Sequence, residues 1–116
     1  MLIVDDDESQ RRLLARIVER IDLQWLTATN GAEALALLGE HRVDLVVSDR
    51  EMGGHDGDEL VQQMRLDADL TGTPVIIVTG SPHLPFAGAE PDVVLAKPYD
   101  AGVLVGHIHQ LLGIGT

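Results

Sequence analysis

The chain has 116 residues, a formal net charge of −11 and no cysteine. That length bounds one domain with a single core, the charge argues against nucleic-acid phosphates as a partner, and the missing thiols exclude disulfides, thiolate metal sites and thiol catalysis. Apolar residues make up 45% of the chain but include only one Trp, one Tyr and one Phe, so the core has to be aliphatic.

No apolar stretch approaches the ~18 residues of a membrane span, and no charged segment precedes an apolar leader, so the chain is expected to be soluble and cytoplasmic. The first apolar run, Leu2-Ile3-Val4, stops at Asp5-Asp6-Asp7. A helical stripe of Leu13, Leu14, Ile17, Val18 and Ile21 follows, with Arg11, Arg12, Arg16, Glu19 and Arg20 mostly on the wet side. Gln24 to Ala28 reads as a short second strand in which Trp25 packs. Asn30-Gly31-Ala32-Glu33 has the form of an N-cap with Glu at N3, opening a helix through Ala34, Leu35, Leu37 and Leu38.

The next run, Val43-Asp44-Leu45-Val46-Val47-Ser48, stops at Asp49. Asp56-Gly57-Asp58-Glu59 opens another helix, with Leu60, Val61 and Met64 facing inward. Val75-Ile76-Ile77-Val78 then stops at Thr79. After it come Pro82, Pro85, Gly88 and Pro91, and proline deletes a backbone donor and clashes inside a helix, so the fourth helix should be short, distorted or missing. Val93-Val94-Leu95-Ala96 stops at Lys97-Pro98, and Asp100 starts the last helix, carrying Val103, Leu104, Ile108, Leu111 and Leu112.

Strand–helix alternation of this kind gives a parallel sheet with helices on both faces. Apolar runs closed by one polar residue read as buried parallel strands whose carboxyl ends face one crevice, the place where open α/β sheets bind ligands. Carboxylates crowded there repel by about 4 kcal/mol per pair at ~4 Å and an effective dielectric near 20. A cation is needed among them, and Mg²⁺, which takes a few carboxylates plus waters, fits the donor chemistry.

Each residue also has a plainer role. An Asp at a strand end is commonly a helix cap, and Asp7 and Asp56 are read that way. Asp49 is not, because Met52-Gly53-Gly54 follows it instead of a helix. Thr79 alone is an ordinary strand residue, and Lys97 alone a surface charge. His55 reads as a solvated loop residue. His107 and His109 are two apart on a helix and face different directions.

Taken together, these blocks resemble the receiver domain of two-component response regulators from Leu2 to about Leu112. VDLVVSDREMGGHDGDEL is similar to the family's phospho-acceptor block, with the acceptor at Asp49 and the following Asp-Gly at Asp56-Gly57; LIVDDDE is similar to its first-strand block. The resemblance implies a single (βα)5 doubly wound, flavodoxin-like three-layer domain over residues 1–116 with a central five-stranded parallel sheet, in which the prolines after Thr79 leave a short or distorted fourth helix. It implies that Asp5 and Asp6 form the metal-binding acidic pair, that Thr79 supplies the hydroxyl for the phosphoryl group, and that Lys97 precedes a cis peptide bond at Pro98. Mg²⁺ is then expected on Asp6, Asp49 and the backbone carbonyl of Glu51, with Asp5 acting through water. Glu51 and Ser81 flank the path of an attacking water.

Three positions depart from the family pattern. Val94 stands where Tyr or Phe usually couples to the Thr, Gly53 replaces the usual Pro, and the segment after Thr79 is compressed. The expected partners are a sensor histidine kinase or histidine phosphotransfer protein, and a downstream protein or an output domain outside this chain, with no nucleic acid and no membrane contact. The expected activity is phosphoacceptance, not classical enzyme turnover. Alternative readings are an unphosphorylated docking module, a Mg²⁺-dependent aspartyl-phosphate phosphatase with Glu51 as its second acid, and a flavodoxin-like cofactor domain, which would lack a Gly-rich phosphate loop.

Overall fold

The computed structural model describes residues 1–53 and 56–114. His55 lies outside them. In chain order the elements are β1 (Leu2–Val4), α1 (Glu8–Arg20), β2 (Leu26–Ala28), α2 (Gly31–Glu40), β3 (Val46–Asp49), α3 (Asp56–Leu66), β4 (Val75–Thr79), β5 (Val93–Ala96) and α4 (Ala101–Leu112). The strands form one parallel sheet in the order β2-β1-β3-β4-β5. The order reverses between β1 and β3, and their carboxyl ends border the crevice at that switch point.

Alternate strand residues divide the core into two layers, as the two-residue period of a pleated strand requires. Leu2, Val4, Val46, Val75 and Ile77 pack with Ala34 and Leu38 of α2 and with Leu60, Val61 and Met64 of α3. Ile3, Val47, Ile76, Val78 and Leu95 pack on the other face with Leu14 and Val18 of α1 and Leu104 and Ile108 of α4. Asp7 caps α1 by accepting from the Ser9 and Gln10 amides, Asn30 caps α2 through the Glu33 amide, and Asp100 caps α4 through the Val103 amide. Asp56 is instead the first residue of α3, so its reading as a cap shifts by one position.

The apolar stripes prove narrower than their sequence patterns. Leu13 is 47% exposed and Val103 50% exposed, because the buried rows against the sheet are Leu14–Val18 and Leu104–Ile108, with Ile17, Ile21, Leu111 and Leu112 partly buried beside them. Trp25 lies just before β2 and is 37% exposed, so it is not a packed strand residue.

In the β4–β5 crossover, where the fourth helix was expected to be short, distorted or missing, it is missing: among the described residues, positions 80–92 hold turns and no helix. Its prolines remove helix donors, and Gly88 takes a left-handed φ of 91°. Side chains hold this strap in place of a helical ladder. Arg50 donates to the carbonyls of Ser81 (3.3 Å), Leu84 (2.8 Å) and Pro85 (3.0 Å). Gln62 of α3 donates to the Ala87 carbonyl, and Arg65 of α3 bonds Asp92 at 2.6 Å. Phe86 and Ala89 close over the α2–α3 core.

Candidate functional site

Strand register assembles the site. Val4 pairs with Ser48, so Asp5 leaves β1 beside Asp49 at the end of β3. Asp49 pairs with Val78, and Thr79 pairs with Ala96, which sets Lys97 one residue beyond. Oxygens of Asp5, Asp6 and Asp49 lie within 4.8 Å of one another. Asp5 and Asp49 are buried and Asp6 is exposed, so the cluster opens to solvent on one side.

The turns around the cluster are fixed locally. Asp5 accepts from the Asp7 amide at 2.9 Å, and its carbonyl accepts from Arg11 of α1 at 2.8 Å. Gly57 lets α3 begin against the β3 exit: a Cβ there would lie 2.5 Å from Arg50 Cα and 2.7 Å from the Asp49 carbonyl oxygen. Its amide donates to the Arg50 carbonyl at 3.1 Å. The glycine of the acceptor block's Asp-Gly is thus a packing requirement. Gly53 adopts φ 65°, which a proline ring cannot reach, so this loop takes a course closed to the residue usual in the family.

Asp49 is 6% exposed. Its Oδ1 accepts from Lys97 Nζ at 2.9 Å and from the Glu51 amide at 3.3 Å. Lys97 reaches in from a cis Lys97–Pro98 peptide, and its amide donates to the Thr79 carbonyl at 2.8 Å. Burial pushes the Asp5 carboxyl upward; the Asp7 amide opposes that, and the charges of Asp49 and Asp6 add to it. Burial pulls the Lys97 ammonium down, but its hydrogen bond to Asp49 and the charges of Asp49, Asp5 and Glu51 raise it on balance.

The contact that sequence reasoning missed belongs to Glu51. Its carboxylate accepts from the buried Thr79 hydroxyl, with Oε2 and Oε1 at 2.8 and 2.9 Å, and from the Gly80 amide at 3.2 Å. Thr79 Oγ1 in turn accepts from the Ser81 amide at 2.9 Å. Acidic identity at position 51 was the only sequence signal, and it does not say which way the side chain turns. Tyr99 was also missed: its hydroxyl is buried without a hydrogen-bond partner among the described residues, and burial, with the nearby Asp5, pushes it upward. Val94 pairs with Ile77 in register and is half-buried.

The larger clefts lie elsewhere. Two of about 910 and 790 Å³ sit at the opposite, amino-terminal ends of the strands and share His41, Arg42, Val43 and Asp44, ahead of β3. The acidic cluster carries the convergent charges, and the clefts do not include it. Its oxygen-only donors suit a hard divalent cation.

A family model described as "Response regulator receiver domain" matches residues 1–109. The heme response regulator HssR of Staphylococcus haemolyticus is 34% identical over 116 residues, covering 96% of this chain and 50% of that protein. The chain therefore spans about half the length of that relative. Among solved structures, the signal receiver domain of a signal transduction histidine kinase from Syntrophus aciditrophicus superposes with a TM-score of 0.87 at 32% identity, covering 97% of this chain and 88% of that one. The response regulator protein TrrA of Thermotoga maritima, solved in complex with Mg²⁺ and BeF, gives 0.85 at 28% identity, with 96% of each chain covered.

Proposed function

The chain belongs to the response regulator receiver domain family, and from that premise we propose that residues 1–116 act as one phosphoacceptor unit with Asp49 as the acceptor. The observation that carries this reading is the setting of Asp49: a nearly buried carboxylate with Lys97 Nζ 2.9 Å away and two further Asp carboxylates beside it. Such a group is a nucleophile held in place and partly neutralised before any donor arrives.

An Asp49 carboxylate oxygen attacks the phosphorus of a phosphohistidine on a partner protein. The O–P bond forms as the P–N bond breaks, and the departing imidazole nitrogen takes up a proton. Transfer of this kind needs mainly in-line placement and neutralisation of the phosphoryl oxygens. Lys97 meets one oxygen, while the Thr79 hydroxyl and Gly80 amide are donors for another. Asp5, Asp6, Asp49 and the Glu51 carbonyl would hold Mg²⁺, which supplies positive charge to the phosphoryl oxygens when bound. The open crevice admits a group carried on another protein, which favours acceptance over turnover of an enclosed small molecule. The added charge of about −1.5 to −2 at neutral pH draws Thr79 and Lys97 toward it and biases an existing equilibrium of surface states. Readout then passes to a partner protein or to an output domain joined to this unit.

Intact-mass analysis after incubation with acetyl phosphate and Mg²⁺ tests this reading. One phosphoryl group is expected on the parent and none on Asp49→Asn. No adduct on the parent, together with no binding of beryllofluoride, would overturn it.

A further inference from the structure

We infer that the Glu51 carboxylate is an internal anion occupying the seat of the phosphoryl group, so that loading Asp49 requires its eviction. The inference rests on the phosphoacceptor reading of Asp49 and adds the control of that site.

Thr79 carries the argument. Its side chain is fully buried, so water does not reach the hydroxyl. Its oxygen already accepts from the Ser81 amide, and its single hydrogen is directed at Glu51, both of whose oxygens lie within 2.9 Å. The Gly80 amide points to the same carboxylate. These are two of the donors assigned above to the phosphoryl group, and Lys97, the third, is engaged by Asp49 itself. A carboxylate and a phosphoryl group both present oxygens with negative charge to N–H and O–H donors, so they compete for the same bonds.

The exchange has a built-in coupling. A buried donor left without a partner carries the desolvation penalty of that group. Thr79 therefore holds Glu51 until another anion replaces it. Glu51 is exposed and can swing into solvent, whereas Thr79 and Asp49 are fixed in the sheet. The seat is thus closed by a mobile anion of the protein's own chain.

The test is the dissociation constant of beryllofluoride at saturating Mg²⁺ for the parent, Glu51→Gln and Glu51→Asp, read by fluorine NMR. Gln keeps the length and loses the charge; Asp keeps the charge and is one methylene too short to span both donors. Both variants are expected to bind about tenfold more tightly than the parent, the difference between a charged and a neutral or absent hydrogen bond. The Gly80 amide resonance of both ligand-free variants is expected to move away from its parent position. Equal affinities in all three proteins would overturn the inference and leave the acceptor reading standing. Tighter binding by Gln alone would also overturn it, because general charge repulsion, and not occupancy of the seat, would then be the cause. Failure of all three to bind would remove the acceptor reading and the inference with it.

Discussion

Arg50 and Asp58 meet through two parallel bonds, Nε to Oδ1 at 2.7 Å and Nη2 to Oδ2 at 3.0 Å. The remaining donor capacity of the guanidinium goes to the Ser81, Leu84 and Pro85 carbonyls, and its Cζ lies 3.9 Å from the Phe86 ring centroid. One buried side chain, adjacent in sequence to Asp49, therefore ties α3 to the helix-free crossover. The aspartate holds the guanidinium further toward its charged form through the hydrogen bond, against the opposing effect of burial.

Arg50→Ala is expected to destabilise the fold by about 3 kcal/mol, the usual cost of removing one partner of a buried ion pair. Hydrogen exchange should locate the damage, with the hydrogen-bonded amides of Ser81 and Leu84 losing protection before those of β3. Arg50→Lys should recover little, because an ammonium cannot span Asp58 and three carbonyls at once. A lysine variant with parent stability would show that charge alone holds the strap.

Gly57→Ala should cost about 1–3 kcal/mol, since the new methyl lands on the backbone of Asp49 and Arg50, which cannot rotate away. That corresponds to a melting temperature lower by roughly 4 °C per kcal/mol for a chain of this size. The displacement falls on the Asp49 backbone itself, so phosphoryl acceptance should slow as well. Gly39, with open space around its Cβ position, provides the control: Gly39→Ala should be neutral or stabilising.

These two positions mark what the sequence could and could not convey. Strand ends were readable because each apolar run closes on a polar residue, and parallel register then carries Asp5, Asp49, Thr79 and Lys97 to one edge. Asp7, Asn30 and Asp100 were readable as helix starts because capping is local chemistry. The Arg50 staple was not readable, since it depends on where a crossover without helical period folds back, and the Glu51–Thr79 contact was not, since it depends on which way one loop side chain turns. Leu13 and Val103 misled for a different reason: a stripe on a helical wheel is wider than the strip of helix that touches a sheet.

Metal-free stability should fall as pH rises through the titration of Asp5. Its folded carboxyl titrates above the ordinary value because of burial and the neighbouring Asp49 and Asp6 charges. Between the unfolded and folded pKa values the folded state binds more protons, so raising pH favours unfolding. Asp5→Asn, which can still accept from the Asp7 amide, should remove that slope and raise the metal-free melting temperature at neutral pH by a few degrees. Mg²⁺ should raise the melting temperature of the parent and do less for Asp6→Asn. Equal Mg²⁺ shifts in parent and Asp6→Asn would sink the metal assignment.

Lys97→Met removes the cation 2.9 Å from Asp49 and leaves Asp5, Asp6 and Asp49 without their ammonium neighbour. A hydrogen bond to a charged group contributes about 1.5–3 kcal/mol, and the lower end applies here because Lys97 is one-third exposed. The metal-free variant should therefore be about 1.5 kcal/mol less stable at neutral pH. Lys97 titrates above its ordinary value in the fold, so its contribution is complete below the unfolded pKa and is lost as pH rises through the folded one. Denaturant curves of parent and variant should converge at strongly alkaline pH. Added Mg²⁺ should stabilise the variant more than the parent, since it meets the same carboxylates with one competing cation fewer. A gap that persists unchanged at high pH would mean the lysine acts by packing its stem, and not through its charge.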